Sequence, residues 1–203
     1  FDAFFQQIPF GTSGRRGAVG FGTNRFNPFT LGTSIQGHCD FLQRDTNDIT
    51  LSVVIAFDVR VYHDLRRVYS RELPNPLMGM LSEDFARIAA GIYAANGIKV
   101  WFAGSVKTGH VTTPELSFTV RKLEAAGGLN ISASHNHPDD NGAKISNGEG
   151  AQAVPPLDQE LADRVNATGG ASSMPWEEAR KGGMIEPIPP EVHAEYIRSN
   201  LDA

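Results

Sequence analysis

The sequence predicts an α/β fold with a largely parallel sheet, because three short apolar segments alternate with helical patterns. The candidate strands are 49–57, 99–103 and 129–133, and helices between them are expected to begin near Ser82 and Thr113. Strands that alternate with helices form right-handed crossovers in a parallel sheet. Ligands collect at the carboxyl ends of the strands in such sheets, so the residues that follow each strand are candidates for function.

Each element has its own signal. Residues 49–57 are a β-branched, nearly continuous apolar run, which indicates a strand buried on both faces. Ser82 is a candidate N-cap, followed by acidic residues and by apolar residues at helical spacing. A threonine–proline pair at Thr113 indicates the start of the second helix. The third strand leads directly into the polar segment 134–142, which therefore lies at the ligand edge of the predicted sheet.

Composition limits the class of protein. A chain of 203 residues with 40% hydrophobic residues can bury one full core and part of a second. The formal charge of −5 and the lack of a dense lysine and arginine block argue against a nucleic-acid partner. No apolar run approaches the roughly 20 residues that cross a bilayer, so no membrane partner is expected. Cys39 is the only cysteine, and a cytoplasmic location is expected.

The chain is expected to hold one domain and a tail. Residues 1–150 are assigned to a domain that carries the polar loop. Residues 151–203 are rich in glycine, proline and polar residues, and they are assigned to the domain edge and a connector toward a missing second domain. The connection 62–80 is long for a compact domain, so it is either a functional loop or a short helix. The sequence begins without methionine and stops after a helix-like stretch, so we expect part of a longer protein.

The first candidate site is the glycine-rich segment FGTSGRRG at 10–17. Its glycines permit a tight backbone that presents N–H groups, and its hydroxyls and arginines are suited to phosphate oxygens. A flexible turn with solvated arginines would have the same composition. The residues alone therefore leave an anion-binding loop and a plain turn open.

The second candidate site is the polar segment that follows the third strand. Ser134 is expected on a rigid support at the sheet edge, and Lys144 returns after a glycine-bearing turn, so a hydroxyl beside a cation could carry a phosphoryl group. A serine hydrolase is less favoured, because neighbouring residues of an extended chain point to opposite faces and His135 would point away from Ser134. A metal site formed by the histidines and aspartates of 135–140, or a plain polar turn, remains open.

Taken together, the two segments resemble the signatures of the alpha-phosphohexomutase family, the phosphoglucomutases and phosphomannomutases. FGTSGRRG is similar to the family's GTSG-x-R signature, and ISASHNHPDDNGAK at 131–144 to its active-site S-A-S-H-N-P…N-G-x-K loop. Residues 56–60 and 112–116 are similar to a strand end and a helix start of the family. His137 stands where the family usually has proline. The resemblance implies a three-layer α/β/α fold with a mixed, largely parallel sheet, as in domain I of phosphohexomutases.

The resemblance also implies an activity and its residues. The loop serine of the family is phosphorylated, a role that falls on Ser134, and hexose 1-phosphate and hexose 6-phosphate interconvert through a bisphosphorylated sugar. His135 matches a candidate general acid or base. Arg16 matches an arginine that assists proton transfer or holds the phosphorus, and Lys144 the lysine near the transferring phosphate. The implied phosphate-binding residues are Thr12, Ser13, Arg16, Asn136 and Lys144.

Three further residues receive an interpretation. Asp58 and Arg60 are expected to orient the loops through an ion pair rather than to touch substrate. Arg15 occupies a position that is often apolar in the family, so no chemistry is assigned to it.

The implied cofactors are Mg²⁺, bound through the phosphate of Ser134, and glucose 1,6-bisphosphate or the matching hexose bisphosphate as activator. In the family the other metal ligands come from a D-x-D-x-D-R loop, and G-E-x-S-G-H and R-x-S-G-T loops bind the substrate; none of these occurs in this sequence. The implied partners are therefore a hexose phosphate and missing domains of the same chain, and this segment alone is expected to be inactive. The alternatives are a non-catalytic sugar-phosphate-binding homologue and an unrelated metal-dependent hydrolase.

Overall fold

A single mixed sheet organises the chain. The computed structural model describes residues 2–11, 14–44, 50–104 and 110–202. Within them six strands pair in the order β1-β5-β4-β2-β3-β6. The strands are β1 (Gly14–Ala18), β2 (Ser52–Phe57), β3 (Lys99–Phe102), β4 (Gly127–Ile131), β5 (Asp140–Asn147) and β6 (Ile185–Pro187). Strands β4, β2, β3 and β6 pair in parallel, whereas β5 is antiparallel to both β4 and β1, so the predicted mixed and largely parallel sheet is confirmed.

Helices cover both faces of this sheet. The helices in the described ranges are α1 (Asp2–Phe5), α2 (Pro28–Leu42), α3 (Ser82–Ala95), α4 (Thr113–Lys122), α5 (Leu157–Ala167), α6 (Trp176–Lys181) and α7 (Pro190–Leu201). A Cβ on Gly127 would lie 3.5 Å from His38 of α2, and one on Gly128 would lie 2.9 Å from Val120 of α4. Because successive strand residues face opposite sides, α2 and α4 lie on opposite faces. Helices α3, α5 and α6 belong to the α2 layer and α7 packs on α4, so the three-layer arrangement is confirmed.

The central strand β2 has the burial that its sequence predicts. Residues 53–57 are 0–1% exposed, as expected for a parallel strand covered by helices on both faces. The strand begins at Ser52, and the first predicted strand residue, Ile49, lies outside the described residues. No helix of the described part of the chain is long and apolar enough to span a membrane.

Two predicted helix starts are displaced by one residue. Leu81 rather than Ser82 is the N-cap of α3, and the carboxylate of Asp84 accepts the Leu81 N–H at 2.8 Å. Ser82 instead donates its hydroxyl to Asp58 at 2.6 Å. Helix α4 is capped by Thr112, whose hydroxyl accepts the backbone N–H of the third helical residue, so the threonine of the threonine–proline pair is already helical.

Helix α2 is not predicted by the apolar pattern, because glycines and polar residues interrupt its buried face. Its start has a strong local signal: the Asn27 side chain accepts the N–H groups of Phe29 and Thr30 at 3.1 and 3.0 Å. A Cβ on Gly37 would lie 2.6 Å from the Cα of Val165. The glycine therefore permits the close contact between α2 and α5.

The long connection 62–80 is a hydrogen-bonded loop, and the alternative of a short helix is wrong. Tyr62 donates its N–H to the Met80 carbonyl at 3.0 Å and closes the base of the loop. Within the loop the buried carboxylate of Asp64 accepts the N–H groups of Val68 and Tyr69 at 2.9 and 3.0 Å. The loop therefore has internal bonds that give it a defined shape.

Residues after 150 contribute to the same sheet. β6 pairs in parallel with β3, and α5 packs against α2. The segment thus forms one edge of the domain. Whether 151–203 also serves as a connector toward a second domain stays a prediction.

Candidate active site

The carboxyl ends of two neighbouring strands meet at the candidate site. β4 leads into the loop that carries Ser134, and β2 leads into Asp58 and Arg60; the last residues of the two strands are paired. The ladder of β1, β5 and β4 adds Lys144, which lies between Gly14 and Asn130, and Arg16, which lies opposite Gly142. The structure therefore gathers the predicted Ser134, His135, Asn136, Arg16 and Lys144 at one edge. Thr12 and Ser13 lie outside the described residues.

Ser134 has an unusual backbone conformation. Its φ of 56° is in the left-handed region, which a non-glycine residue adopts only when its surroundings hold it there. Its N–H donates to the hydroxyl of Ser132 at 3.0 Å, and its side chain is exposed directly after the buried Ala133. Because the chain is not extended here, Ser134 Oγ lies 3.5 Å from Nδ1 of His135. The expectation that His135 points away from Ser134 is therefore wrong.

Arg60 holds the serine loop in this shape. Its Nη2 donates to the carbonyls of Ser134 and Asn136, both at 2.9 Å. Its Nη1 donates to the carbonyls of His137 and Asp140 at 2.7 and 3.1 Å. Its Nε donates to Oδ2 of the Asp58 carboxylate at 3.1 Å, which confirms the predicted ion pair. One guanidinium therefore binds four carbonyls of one loop, a pattern that requires its planar set of donors.

Asp58 is itself anchored. Its Oδ1 accepts the Ser82 hydroxyl at 2.6 Å and the backbone N–H of Arg60 at 3.1 Å. The amide of Asn141 in turn donates to the Ser82 hydroxyl at 2.9 Å. This network joins the ends of β2 and β5 to the start of α3. Sequence reasoning missed Ser82 and Asn141 in this role, although both belong to segments that it singled out.

A second chain of polar contacts reaches Arg16. The exposed Arg16 donates from Nη1 to Oδ1 of Asn136 at 3.4 Å, and the Asn136 amide donates to Oδ2 of Asp140 at 3.0 Å. Oδ1 of Asp140 accepts from Arg66 of the 62–80 loop at 2.6 Å. Arg66 is a site residue that sequence reasoning missed, since an arginine within a long polar loop has no distinguishing pattern.

Lys144 lines a cleft of about 380 Å³ together with Arg16, Gly11 and Gly14. Burial lowers the pKa of Lys144, the neighbouring charge of Arg16 lowers it further, and the Asp58 carboxylate acts in the opposite direction. Two cations beside one cleft are suited to an anion. A Cβ on Gly14 would overlap the carbonyl oxygen of Ala143, so glycine is required for the close approach of β1 to β5 here.

Arg15 is structural, in agreement with the absence of an assigned chemistry. Its side chain is buried and donates to the carbonyl of Thr30 at 3.0 Å and the hydroxyl of Thr33 at 2.7 Å. Burial lowers its pKa. The two adjacent arginines thus point in opposite directions, Arg15 toward α2 and Arg16 toward the cleft.

The described residues do not form a metal site by themselves. No group of three or more histidine, cysteine, aspartate or glutamate side chains is arranged to hold a metal ion within the described ranges. The backbone N–H of Asp139 donates to Nδ1 of His137 at 3.1 Å, and both carboxylate oxygens of Asp140 have partners. This arrangement gives no support to a metal-dependent hydrolase that uses residues 135–140. A phosphate on Ser134 would add hard oxygen donors of the kind that Mg²⁺ prefers.

Known proteins are similar to this chain in sequence. Residues 80–171 match the model of the phosphoglucomutase/phosphomannomutase alpha/beta/alpha domain I. A Staphylococcus aureus phosphoglucomutase is 34% identical over 199 residues, and the match covers 97% of this chain. The human phosphopentomutase is 32% identical over 187 residues, which is 92% of this chain. The chain belongs to the phosphoglucomutase/phosphomannomutase family.

Solved structures of the family have a similar fold. The crystal structure of a phosphomannomutase candidate from Thermus thermophilus superimposes with a TM-score of 0.66 at 27% identity and covers 90% of this chain. A Burkholderia thailandensis member of the family, with a TM-score of 0.61 at 20% identity, shares the fold. The chain spans 31% of the Staphylococcus aureus relative, 27% of the human relative and 33% of the Thermus chain. The chain therefore matches only part of the length of these proteins.

Proposed function

We propose that this chain is the phosphoserine-bearing domain of a phosphosugar mutase and that Ser134 carries the phosphoryl group. The observation that supports this most directly is the exposed Ser134 hydroxyl, held at the end of a buried strand in a left-handed conformation by a loop that Arg60 binds at four carbonyls. A phosphoryl carrier must be accessible to its substrate and must also be held in a defined position. Family membership points to the same chemistry.

In the proposed reaction a hydroxyl oxygen of a sugar monophosphate attacks the phosphorus of phosphorylated Ser134. The bond between phosphorus and Ser134 Oγ breaks, and the sugar bisphosphate later returns its other phosphoryl group to the same oxygen. His135 Nδ1, 3.5 Å from Ser134 Oγ, is suited to give a proton to the departing oxygen and take it back in the return step. The attacking sugar hydroxyl would release its own proton to solvent, and the sugar oxygen that departs in the return step would take one up from solvent. Arg16 and Lys144 would neutralise phosphate charge, and Asn136 would orient Arg16.

Mg²⁺ and a sugar bisphosphate complete the proposal. The phosphate of Ser134 would be a ligand of Mg²⁺, and further ligands would have to come from outside the described residues. When bound, the ion would neutralise negative charge on the transferring group. A bisphosphate of the substrate sugar, such as glucose 1,6-bisphosphate, would phosphorylate an empty Ser134 and so act as activator. A cytoplasmic location remains a prediction.

The sugar is the least constrained part of the proposal. A hexose phosphate is the first expectation, and the similarity to human phosphopentomutase adds pentose phosphates as candidates. Glucose 1-phosphate, mannose 1-phosphate and ribose 1-phosphate, each assayed with its bisphosphate and Mg²⁺, would distinguish these classes in the protein expressed from its full open reading frame.

The test of the carrier is direct. Active protein from the full open reading frame should contain one phosphate, and peptide mapping by mass spectrometry should place it on Ser134. Ser134→Ala should abolish both the phosphate and turnover, while Ser172→Ala, at an exposed serine between α5 and α6, serves as the control. Phosphate found only on Ser13 or Ser132 in active protein would refute the assignment. A protein that binds sugar phosphates but never carries phosphate on Ser134 would instead be the non-catalytic homologue.

A further inference from the structure

The 62–80 loop contributes a cation, Arg66, to the edge of the sheet where the serine loop lies. We propose that Arg66 is a positioning residue for Arg16 and that it acts through Asp140 and Asn136. The inference rests on the proposed function, because the orientation of Arg16 affects a rate only if phosphate is handled in its cleft. The contacts themselves can be tested without any turnover.

Arg66 holds the segment after the serine loop at two points. Its backbone N–H donates to Oδ2 of the buried Asp139 at 2.8 Å, and its guanidinium donates to Oδ1 of Asp140 at 2.6 Å. Asp140 is only 8% exposed, so its charge depends on such a partner more than a surface carboxylate does. Arg66 therefore fixes the position of this carboxylate.

The Asp140 carboxylate determines which way the Asn136 amide faces. An ionised carboxylate can only accept hydrogen bonds, so the NH₂ end of Asn136 must point toward Oδ2 of Asp140, at 3.0 Å. The carbonyl end of the same amide then faces outward and accepts from Nη1 of Arg16 at 3.4 Å. Reversal of the amide would present an NH₂ group to the Arg16 guanidinium, which cannot accept it. Asp140 thus sets the orientation of the Asn136 amide, and this amide in turn positions the Arg16 guanidinium.

The loop is built to present Arg66. The carboxylate of Asp64 accepts the N–H groups of Val68 and Tyr69, which shapes the turn around Arg66. The hydroxyl of Tyr69 accepts the N–H of Phe21, which ties the loop to the segment that follows β1. In contrast, the exposed Arg71 makes no side-chain hydrogen bond or ion pair with the rest of the described chain, so Arg71→Gln is a matched control for Arg66→Gln.

The first experiment measures the network in the 203-residue chain. The side-chain NH₂ resonances of Asn136 in a proton–nitrogen correlation spectrum should shift in Arg66→Gln and in Asp140→Asn, and should stay in place in Arg71→Gln. Arg66→Lys, which restores a cation, should bring the resonances back toward their original positions. Unchanged Asn136 resonances in both Arg66→Gln and Asp140→Asn would overturn the proposal, whatever the protein catalyses.

The second experiment measures turnover in the protein from the full open reading frame. Arg66→Gln should lower kcat about tenfold, less than the roughly hundredfold that a misplacement of about 1 Å can cost, because Arg66 reaches Arg16 only through two intervening side chains. It should leave KM within about twofold. Arg66→Lys should recover most of the loss. In an Asn136→Ala background Arg66→Gln should have no further effect on kcat. An equal effect of Arg66→Gln with and without Asn136 would refute action through this residue. Wild-type protein without mutase activity, in which Asn136 still responds to Arg66, would refute the proposed function and leave the network intact.

Discussion

Replacement of Arg60 by lysine should loosen the serine loop, although the charge is conserved. The Arg60 guanidinium makes five hydrogen bonds, four to loop carbonyls and one to Asp58. An ammonium group has three donors around one point, so at least two acceptors lose their partner. A hydrogen bond that involves a charged group is worth roughly 1.5–3 kcal/mol, and the lower value applies because the loop can partly reach water. Arg60→Lys should therefore reduce the free energy of unfolding by about 3 kcal/mol.

Urea unfolding of the chain measures this change, and Arg121→Lys is the matched control. Arg121 also donates to a hydroxyl and a carbonyl, at 2.9 and 3.1 Å, but on the exposed surface of α4. Its replacement should change the free energy of unfolding by less than about 0.5 kcal/mol. In the active protein Arg60→Lys should also slow turnover, because Ser134 would lose the contacts that hold its backbone at a positive φ. Equal stability changes in the two variants, with normal turnover in Arg60→Lys, would contradict this account of the loop.

Three further predictions concern the site, the core and the isolated chain. Arg16→Ala should lower turnover strongly but change the free energy of unfolding by only about 0.5 kcal/mol, because the side chain is exposed. A large fall in melting temperature with near-normal turnover would identify Arg16 as structural. Burial lowers the pKa of His38 to about 3, so below an unfolded pKa of about 6.5 only the unfolded chain takes up this proton. As the pH is lowered from about 6.5 to about 3, His38 should therefore reduce the free energy of unfolding by about 1.4 kcal/mol per pH unit. Urea unfolding at several pH values measures this slope, and His38→Gln should remove it. An identical slope in the variant would exclude His38 as its source. The 203-residue chain alone should fold but interconvert glucose 1- and 6-phosphate several orders of magnitude more slowly than protein from the full open reading frame, because its sequence lacks the D-x-D-x-D-R loop. A coupled assay with Mg²⁺ and glucose 1,6-bisphosphate measures both rates. Equal rates would show that the segment is catalytically complete.

The sequence predicts the central layer of the fold well because burial leaves a clear pattern there. The apolar run of β2 and the alternation of strands with helices predict a parallel sheet, and they do so from local hydrophobicity alone. The antiparallel strands β1 and β5 escape prediction, since GRRGA and DNGAKISN contain few apolar residues. In β5 even the polar Asp140 and Asn141 are buried. Helix α2 escapes because Gly37 permits close packing where a large apolar residue would be expected.

The candidate site is predicted as a set of residues but not as a geometry. The segments that hold Arg16, Ser134 and Lys144 are recognisable by composition and by their place after strands. The left-handed backbone of Ser134 and its approach to His135 are not, because they follow from the tertiary contacts of Arg60. A local rule for extended chains therefore gives the wrong direction for His135. Arg66 is missed for a similar reason, since its role depends on a contact with Asp140, 74 positions away.

The order of strands has a consequence for biosynthesis. The polar N–H and C=O groups on the outer side of β3 find their partners in β6 and in its flanking residues Met184 and Ile188, more than 80 positions later in the chain. All other strands of the described sheet end at or before Asn147 and are therefore synthesised well before β6. A nascent chain therefore passes through a stage in which the sheet is nearly complete while β3 is an open edge, a surface that pairs readily with strands of other chains. Chaperone occupancy of nascent chains should accordingly persist past the serine loop and decline only once β6 has emerged.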